Sequence, residues 1–273
     1  TLIQFSSFGC GLDAITTGQV KEILERHHCV YTMIKLDEVS NLGSARIRLR
    51  SLMAAWKYGM KQGEGIPEAI PQRAYFKKEC QTEHTILAPQ MSPIHFELIG
   101  AATKKHGYRI VIPDMPNQAA IDEGLKYVNN DMCYPAIIVI GQLLHALKSG
   151  KYDVDNTSIM LFQTCGECRA TNYLNLTRKA LQDAGMPQVP VFACVGRETD
   201  SFKMTTGLFM DVLKATIYGD LLQQVRNRTL PYEKQKGSVN ALFAREMALC
   251  KEDIADHNER YSRFADDFCT FVD

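Results

Sequence analysis

Ser158-Ile159-Met160-Leu161-Phe162-Gln163-Thr164-Cys165-Gly166-Glu167-Cys168-Arg169 is the run whose reading decides the fold. Its first six residues read as a short, mostly apolar strand. A polar, cysteine-bearing turn follows, and the next residues read as a helix to about Ala184. Strand, turn and helix make one βα unit, and the same alternation recurs outward in both directions.

Upstream, a helix from about Ala136 to Leu147 ends at Lys148-Ser149-Gly150, because a glycine tolerates the left-handed conformation that closes helices. Before it come a helix over Gln118 to Val128, a strand over Arg109 to Ile112, a helix from Pro93 to His106, and the strand Ile86-Leu87-Ala88 ending at Pro89. The first sixty residues repeat the pattern. They give a strand at Leu2 to Phe5 and a helix over Thr17 to His27 with Thr16 or Thr17 as its N-cap. A β-rich stretch from Val30 to Leu36 follows, then a helix from Ser44 with Ile47, Leu49, Leu52, Met53 and Trp56 on one stripe. Downstream, Val189 to Ala193 is the last strand, and past residue 204 the pattern is helical only, over 204–228 and 238–262.

Strands alternating with helices imply βαβ units and a mainly parallel sheet. The expected class is α/β, Rossmann-like or flavodoxin-like, with parallel strands near 2–6, 30–36, 85–89, 109–113, 158–163 and 189–193. In chain order the expected division is the end of a first lobe over 1–60, a linker over 61–84, a second lobe over 85–200 and a helical region over 201–273. Residues 59–84 earn the linker reading from their polarity and from Gly63, Gly65, Pro67 and Pro71. A chain that opens directly on a strand reads as part of something longer.

The bulk composition narrows the function classes. Lys+Arg and Asp+Glu both number 31, so no net charge recommends a nucleic-acid or membrane-surface partner. The chain has no apolar run of the ~18–20 residues a bilayer span requires, and no secretory leader pattern. A cytoplasmic setting is expected. Nine cysteines, an odd number scattered over the chain, do not make a disulfide framework. They are packing cysteines, reactive thiols or metal ligands, and their surroundings sort them.

In open parallel sheets, ligands bind beyond the carboxyl ends of the strands. Cys10 and the Cys165/Cys168 pair follow strands closely, and Cys133 precedes a helix. Cys10 is flanked by Gly9 and Gly11, which let backbone approach a bulky ligand. Cys133, in Asp131-Met132-Cys133-Tyr134-Pro135, stands where a helix N-terminus favours a thiolate. Cys165-Gly166-Glu167-Cys168 is a CxxC, a spacing shared by zinc sites, iron–sulfur sites and dithiol redox sites. Structural zinc is disfavoured because the chain has neither a second CxxC nor a histidine at finger spacing. Cys29, Cys80, Cys194, Cys250 and Cys269 lie in apolar, helical or linker contexts that suit packing. His95 opens a helix beneath a strand end, and a packing role outweighs a place in the crevice. His27 and His28 suit a helix C-terminus. Nucleotide-cradling glycine motifs and a nucleophile elbow are both missing from the sequence.

Several strings are more specific than generic α/β sequence. They are Ser7-Phe8-Gly9-Cys10-Gly11-Leu12-Asp13-Ala14, Lys35-Leu36-Asp37-Glu38, Asn41-Leu42-Gly43-Ser44-Ala45-Arg46-Ile47-Arg48 and Ala88-Pro89-Gln90-Met91-Ser92-Pro93-Ile94-His95-Phe96. Further on come Tyr127-Val128-Asn129-Asn130-Asp131-Met132-Cys133-Tyr134-Pro135, Gln163-Thr164, Cys168-Arg169-Ala170-Thr171-Asn172-Tyr173 and Ile217-Tyr218-Gly219-Asp220-Leu221-Leu222. Together, from residue 1 to about 245, they resemble the C-terminal region of the large 2-hydroxyacyl-CoA dehydratase activase-related proteins, which is similar to the dehydratase subunits.

That resemblance implies a cubane iron–sulfur cluster, 4Fe–4S or a related double cubane, in an anaerobic cytoplasm. Its cysteine positions carry over to Cys10, Cys133 and Cys168. Glycine is the family's expected residue at Cys165, so this thiol is a fourth candidate ligand or a neighbour. In the dehydratases the cluster takes an electron from an ATP-driven activase and passes it to a 2-hydroxyacyl-CoA. The implied partners are an activase-type ATPase domain or protein, and a second dehydratase-like subunit or another copy of the chain. The chain would then be a component of an iron–sulfur reductase or dehydratase-like lyase system acting on an acyl-CoA-type or other small substrate. Two other readings stand beside it: a zinc or dithiol redox protein using Cys165 and Cys168, and a metal-free scaffold that docks an activase.

Overall fold

The computed structural model describes residues 2–6, 13–36, 42–58, 73–129, 132–163, 168–194 and 202–256. Cys10, Cys165 and Cys269 lie outside the described residues. Contacts gather the chain into two units, one of 1–74, 117–145 and 162–188, the other of 75–116, 146–161 and 189–273. This grouping differs from the linear division into 1–60, 61–84, 85–200 and 201–273. It joins the segments bearing Cys133 and Cys168 to the first strands and helices of the chain.

In the first unit, β1 (Leu2–Ser6) and β2 (Tyr31–Lys35) pair in parallel, with Leu2 beside Tyr31 and Ser6 beside Lys35. Parallel strands need a crossover, and α1 (Asp13–Arg26) supplies it. The helix opens at Asp13, whose charge suits the positive end of the helix. The expected N-cap at Thr16 or Thr17 is therefore corrected: both lie inside the helix, and Thr17 Oγ1 donates back to the Asp13 carbonyl. After β2, α2 (Leu42–Lys57) follows, and Arg48 donates to the Met33 carbonyl at 3.1 Å.

Further along come α5 (Gln118–Tyr127), α6 (Tyr134–Lys148) and α7 (Tyr173–Asp183). The Asn117 carboxamide caps α5, accepting from the Ala120 N–H at 3.0 Å. α5 and α6 cross so closely that a Cβ on Gly124 would lie 2.2 Å from the Ile137 carbonyl oxygen, and one on Gly141 2.0 Å from the Ala120 oxygen. The two glycines are what allow this approach, and Ala136, Ile137, Ile140, Leu143 and Leu144 fill the core beside it. α7 buries Leu174, Thr177, Ala180 and Leu181 on one face, and Lys179 reaches Glu22 of α1 at 3.1 Å.

The second unit holds a four-stranded parallel sheet in the order β4 (Ile110–Val111), β3 (Thr85–Leu87), β5 (Thr157–Leu161), β6 (Val191–Ala193). Among the described residues the six strands fall within the stretches the sequence indicated, or within a residue of them, and their pairings are parallel. β5 is buried at every position, as an inner strand covered on both faces should be.

Phe76 stacks on Phe192 at 4.2 Å, and Tyr108 and Phe202 close the same apolar cluster with Cys80 and Cys194. Phe76 and Cys80, the latter opening the short helix α3 (Cys80–Glu83), thus bury in the apolar cluster with residues of the sheet, inside the stretch read from sequence as linker. Each fully buried aromatic of this kind contributes roughly 2 kcal/mol by removal of apolar surface from water.

A helical layer of α4 (Pro93–Lys105), α8 (Thr206–Thr229) and α9 (Ser238–Asp256) packs through Leu98, Ala102, Ala215, Tyr218, Leu222, Met247 and Ile254. Buried charge in this layer is paired: Asp211 meets Lys105 at 2.9 Å and His106 at 2.8 Å, and Asp253 meets Lys214 at 2.6 Å. No helix among the described residues is long and apolar enough to cross a membrane.

Candidate cysteine site

Cys133 stands immediately before α6. Its carbonyl accepts the Ala136 N–H at 2.9 Å and so begins the helix, while the buried Met132 before it donates to the Asn129 carbonyl at 2.9 Å. Cys168 holds the equivalent position before a 3-10 turn, Arg169–Asn172, that leads into α7. Its carbonyl accepts from Thr171 at 3.1 Å, and the Gln163 carboxamide donates to the Thr171 carbonyl at 3.1 Å. That bond ties the residues before the CxxC turn to those after it. Cys133 is half-buried and Cys168 exposed, and both are free thiols.

Tyr173, the first residue of α7, lies against Cys133. Its hydroxyl lies 2.8 Å from Cys133 Sγ. Burial, then the hydrogen bond and negative charge of Cys133, then the charge of Cys168, push the phenol well above its ordinary range, while Arg169 opposes them. The Tyr173 phenol therefore stays protonated and can donate its O–H to the Cys133 sulfur.

The sequence reading quoted Tyr173 within a string but gave it no role. The signal was available, since a tyrosine five residues after Cys168 and at the start of a helix can reach back toward a cysteine.

Of the five cysteines read as packing residues, three are buried, Cys29 is half-buried and Cys269 lies outside the described residues. Cys80, Cys194 and Cys250 are buried, and burial pushes the Cys194 thiol up to about 11. Cys250 rises to about 12, through burial and then the neighbouring Glu246 and Asp253 carboxylates. Cys194 and Cys250 are thus protonated packing groups, and Cys80 packs in the aromatic cluster. Among the described residues no three His, Cys, Asp or Glu side chains are grouped to hold a metal ion. Cys133 and Cys168 are the described members of the expected set. Soft sulfur donors of this kind suit iron–sulfur clusters and zinc alike, and the Tyr173 hydroxyl lies against one of them.

His95 does not project freely. Its ring lies against Gly219, its Nδ1 is 2.7 Å from Ser92 Oγ and its Nε2 is 3.0 Å from an Asp220 oxygen.

No family model matches the chain, and comparison with curated proteins and with solved structures finds no match either.

Proposed function

We propose that the chain is the cluster-bearing component of an iron–sulfur reductase or dehydratase-like system, with Cys10, Cys133 and Cys168 as thiolate ligands. The observation that supports this most is the 2.8 Å contact of Cys133 Sγ, across 40 residues of sequence, with the hydroxyl of Tyr173, which stands five residues after Cys168 at the start of α7. A Rossmann-like or flavodoxin-like fold agrees with the strand order β4-β3-β5-β6. The first strand of that sheet lies inside, the second to one side of it, the third and fourth to the other.

In this reading Cys133 and Cys168 present sulfur from the starts of two helical turns, whose backbone hydrogen bonds fix where each thiolate stands. Tyr173 donates to the Cys133 sulfur, which stabilises added negative charge there. A cubane held by three thiolates supplies single low-potential electrons and leaves one iron for water, hydroxide or substrate. Cys165, as a fourth thiolate, would close that position and favour electron relay.

The electron source is an activase-type ATPase, and the partner face takes a second dehydratase-like subunit or another copy of the chain. The setting is an anaerobic cytoplasm, and the substrate is an acyl-CoA or other small molecule. Iron retention after anaerobic reconstitution tests the ligand set. Cys133→Ala and Cys168→Ala should lose iron while Cys29→Ala keeps it. Retention by both of the first two would refute the assignment.

A further inference from the structure

A second constellation of reactive side chains lies wholly within the unit that carries the four-stranded sheet. Ser92 precedes α4 as its N-cap residue, yet its hydroxyl makes no cap bond to the helix backbone. It faces the His95 ring instead, 2.7 Å from Nδ1, while Nε2 of the same ring lies 3.0 Å from Asp220 on α8. The ring is held from a third side by Gly219, where any Cβ would come within 2.5 Å of Cδ2. Only a glycine lets α8 approach this closely.

The chemistry of the three groups fixes the proton positions. A carboxylate can only accept, so in the neutral ring the proton sits on Nε2 and is donated to Asp220. Nδ1 is then a bare lone pair, and the Ser92 O–H must donate to it. That is a hydroxyl polarised by an oriented base, with the ring nitrogens used in the reverse order to the serine-protease triad. Either imidazole nitrogen is basic, so the reversal is chemically neutral. Ser92 is only partly covered, and its neighbours Met91 and Pro93 are exposed, so a small molecule can reach the hydroxyl. Asp220 is itself largely exposed, which makes it an orienting group more than a strong electrostatic one.

We propose that Ser92 is a nucleophile served by His95 and oriented by Asp220, and that it accepts acyl groups from small activated esters. Ser92 Oγ bonds to the ester carbonyl carbon as its proton passes to His95 Nδ1. The bond from that carbon to the leaving alcohol's oxygen then breaks, and the proton departs on the alcohol. Water releases the acyl group by the same route: its proton goes to Nδ1 and is returned to Ser92 Oγ. This site is independent of the cysteines and stands or falls without them.

The test is covalent labelling of the full chain with diisopropyl fluorophosphate, from which Ser92 Oγ would displace fluoride, read by peptide mass spectrometry. One adduct on Ser92 is expected, absent in Ser92→Ala and formed at least ~100-fold more slowly in His95→Gln, the scale of a lost general base. Labelling of the unsubstituted chain should also be slower in heavy water, which reports the proton transfer without any substitution. Absence of a Ser92 adduct, a His95→Gln rate equal to that of the parent, or equal rates in the two waters would overturn the proposal. His95 would then be a strut between α4 and α8.

Discussion

Replacing Gly141 with alanine should destabilise the protein, although alanine is the better helix former. In a helix interior the exchange favours folding by about 1 kcal/mol. Here the new Cβ would stand 2.0 Å from the Ala120 carbonyl oxygen and 2.8 Å from the Gly124 nitrogen, both backbone atoms of α5. A carbon and a carbonyl oxygen rest no closer than about 3.3 Å, so α5 and α6 must part locally by roughly 1.3 Å. The obstacle is backbone and cannot swing away. Overpacking of this kind costs about 1–3 kcal/mol, and a rigid obstacle places it near the top of that range.

The net expectation is a loss of about 2 kcal/mol, or a Tm about 4–8 °C lower for a chain of this size. Because α6 starts directly after Cys133, the same shift should also disturb the Cys133–Tyr173 bond. Thermal unfolding followed by circular dichroism measures the effect. Gly100→Ala in α4 is the control, since a Cβ there meets nothing within 4 Å and should leave Tm unchanged or raised. If Gly141→Ala raises Tm as Gly100→Ala does, the close crossing is wrong.

Three further outcomes are expected. Tyr173→Phe should keep its iron but lower the reduction potential by ~40 mV, because one hydrogen bond of about 1 kcal/mol to a ligand sulfur no longer stabilises the reduced state; protein-film voltammetry would show it, and an unchanged potential would remove Tyr173 from the site. Cys165→Ala should retain most iron with an altered potential, and complete loss measured by iron analysis would make Cys165 a true ligand. Burial tends to raise the Asp211 carboxyl, but His106 and Lys105 outweigh it and hold it below the ordinary carboxylate range. Its stabilisation is therefore complete above the unfolded value and lost as pH falls through the lower folded one. Asp211→Asn should cost about 2 kcal/mol at neutral pH, with the difference from the parent closing below about pH 4 in urea titrations.

The fold was legible where a single periodicity ruled. β5 reads as a strand because its neighbours on both faces demand continuous apolar residues, and α6 ends where Gly150, at φ +74°, turns the chain. The start of α1 was misread because threonine was weighed as a cap and Asp13 was not. Phe76 and Cys80 were hidden in a stretch that composition marks as linker, since two buried side chains do not change an average. The grouping of 117–145 and 162–188 with the first residues rests on contacts between distant segments, which no local pattern encodes.

Of the candidate site, Cys133 and Cys168 could be chosen from their turn and helix positions, and the structure sets Cys133 against Tyr173. Tyr173 itself, and the meeting of Ser92, His95 and Asp220, depend on approach between elements 40 to 125 residues apart. The glycine at 219 was the one local hint of such an approach.

The central claim, that the cysteine loops bind a cubane cluster, is tested most directly by iron and acid-labile sulfide analysis of the chain purified without oxygen. The account predicts a brown protein with about four irons and four sulfides per cluster, its visible absorption bleached by dithionite. A colourless preparation without iron, or one holding zinc in its place, would contradict it.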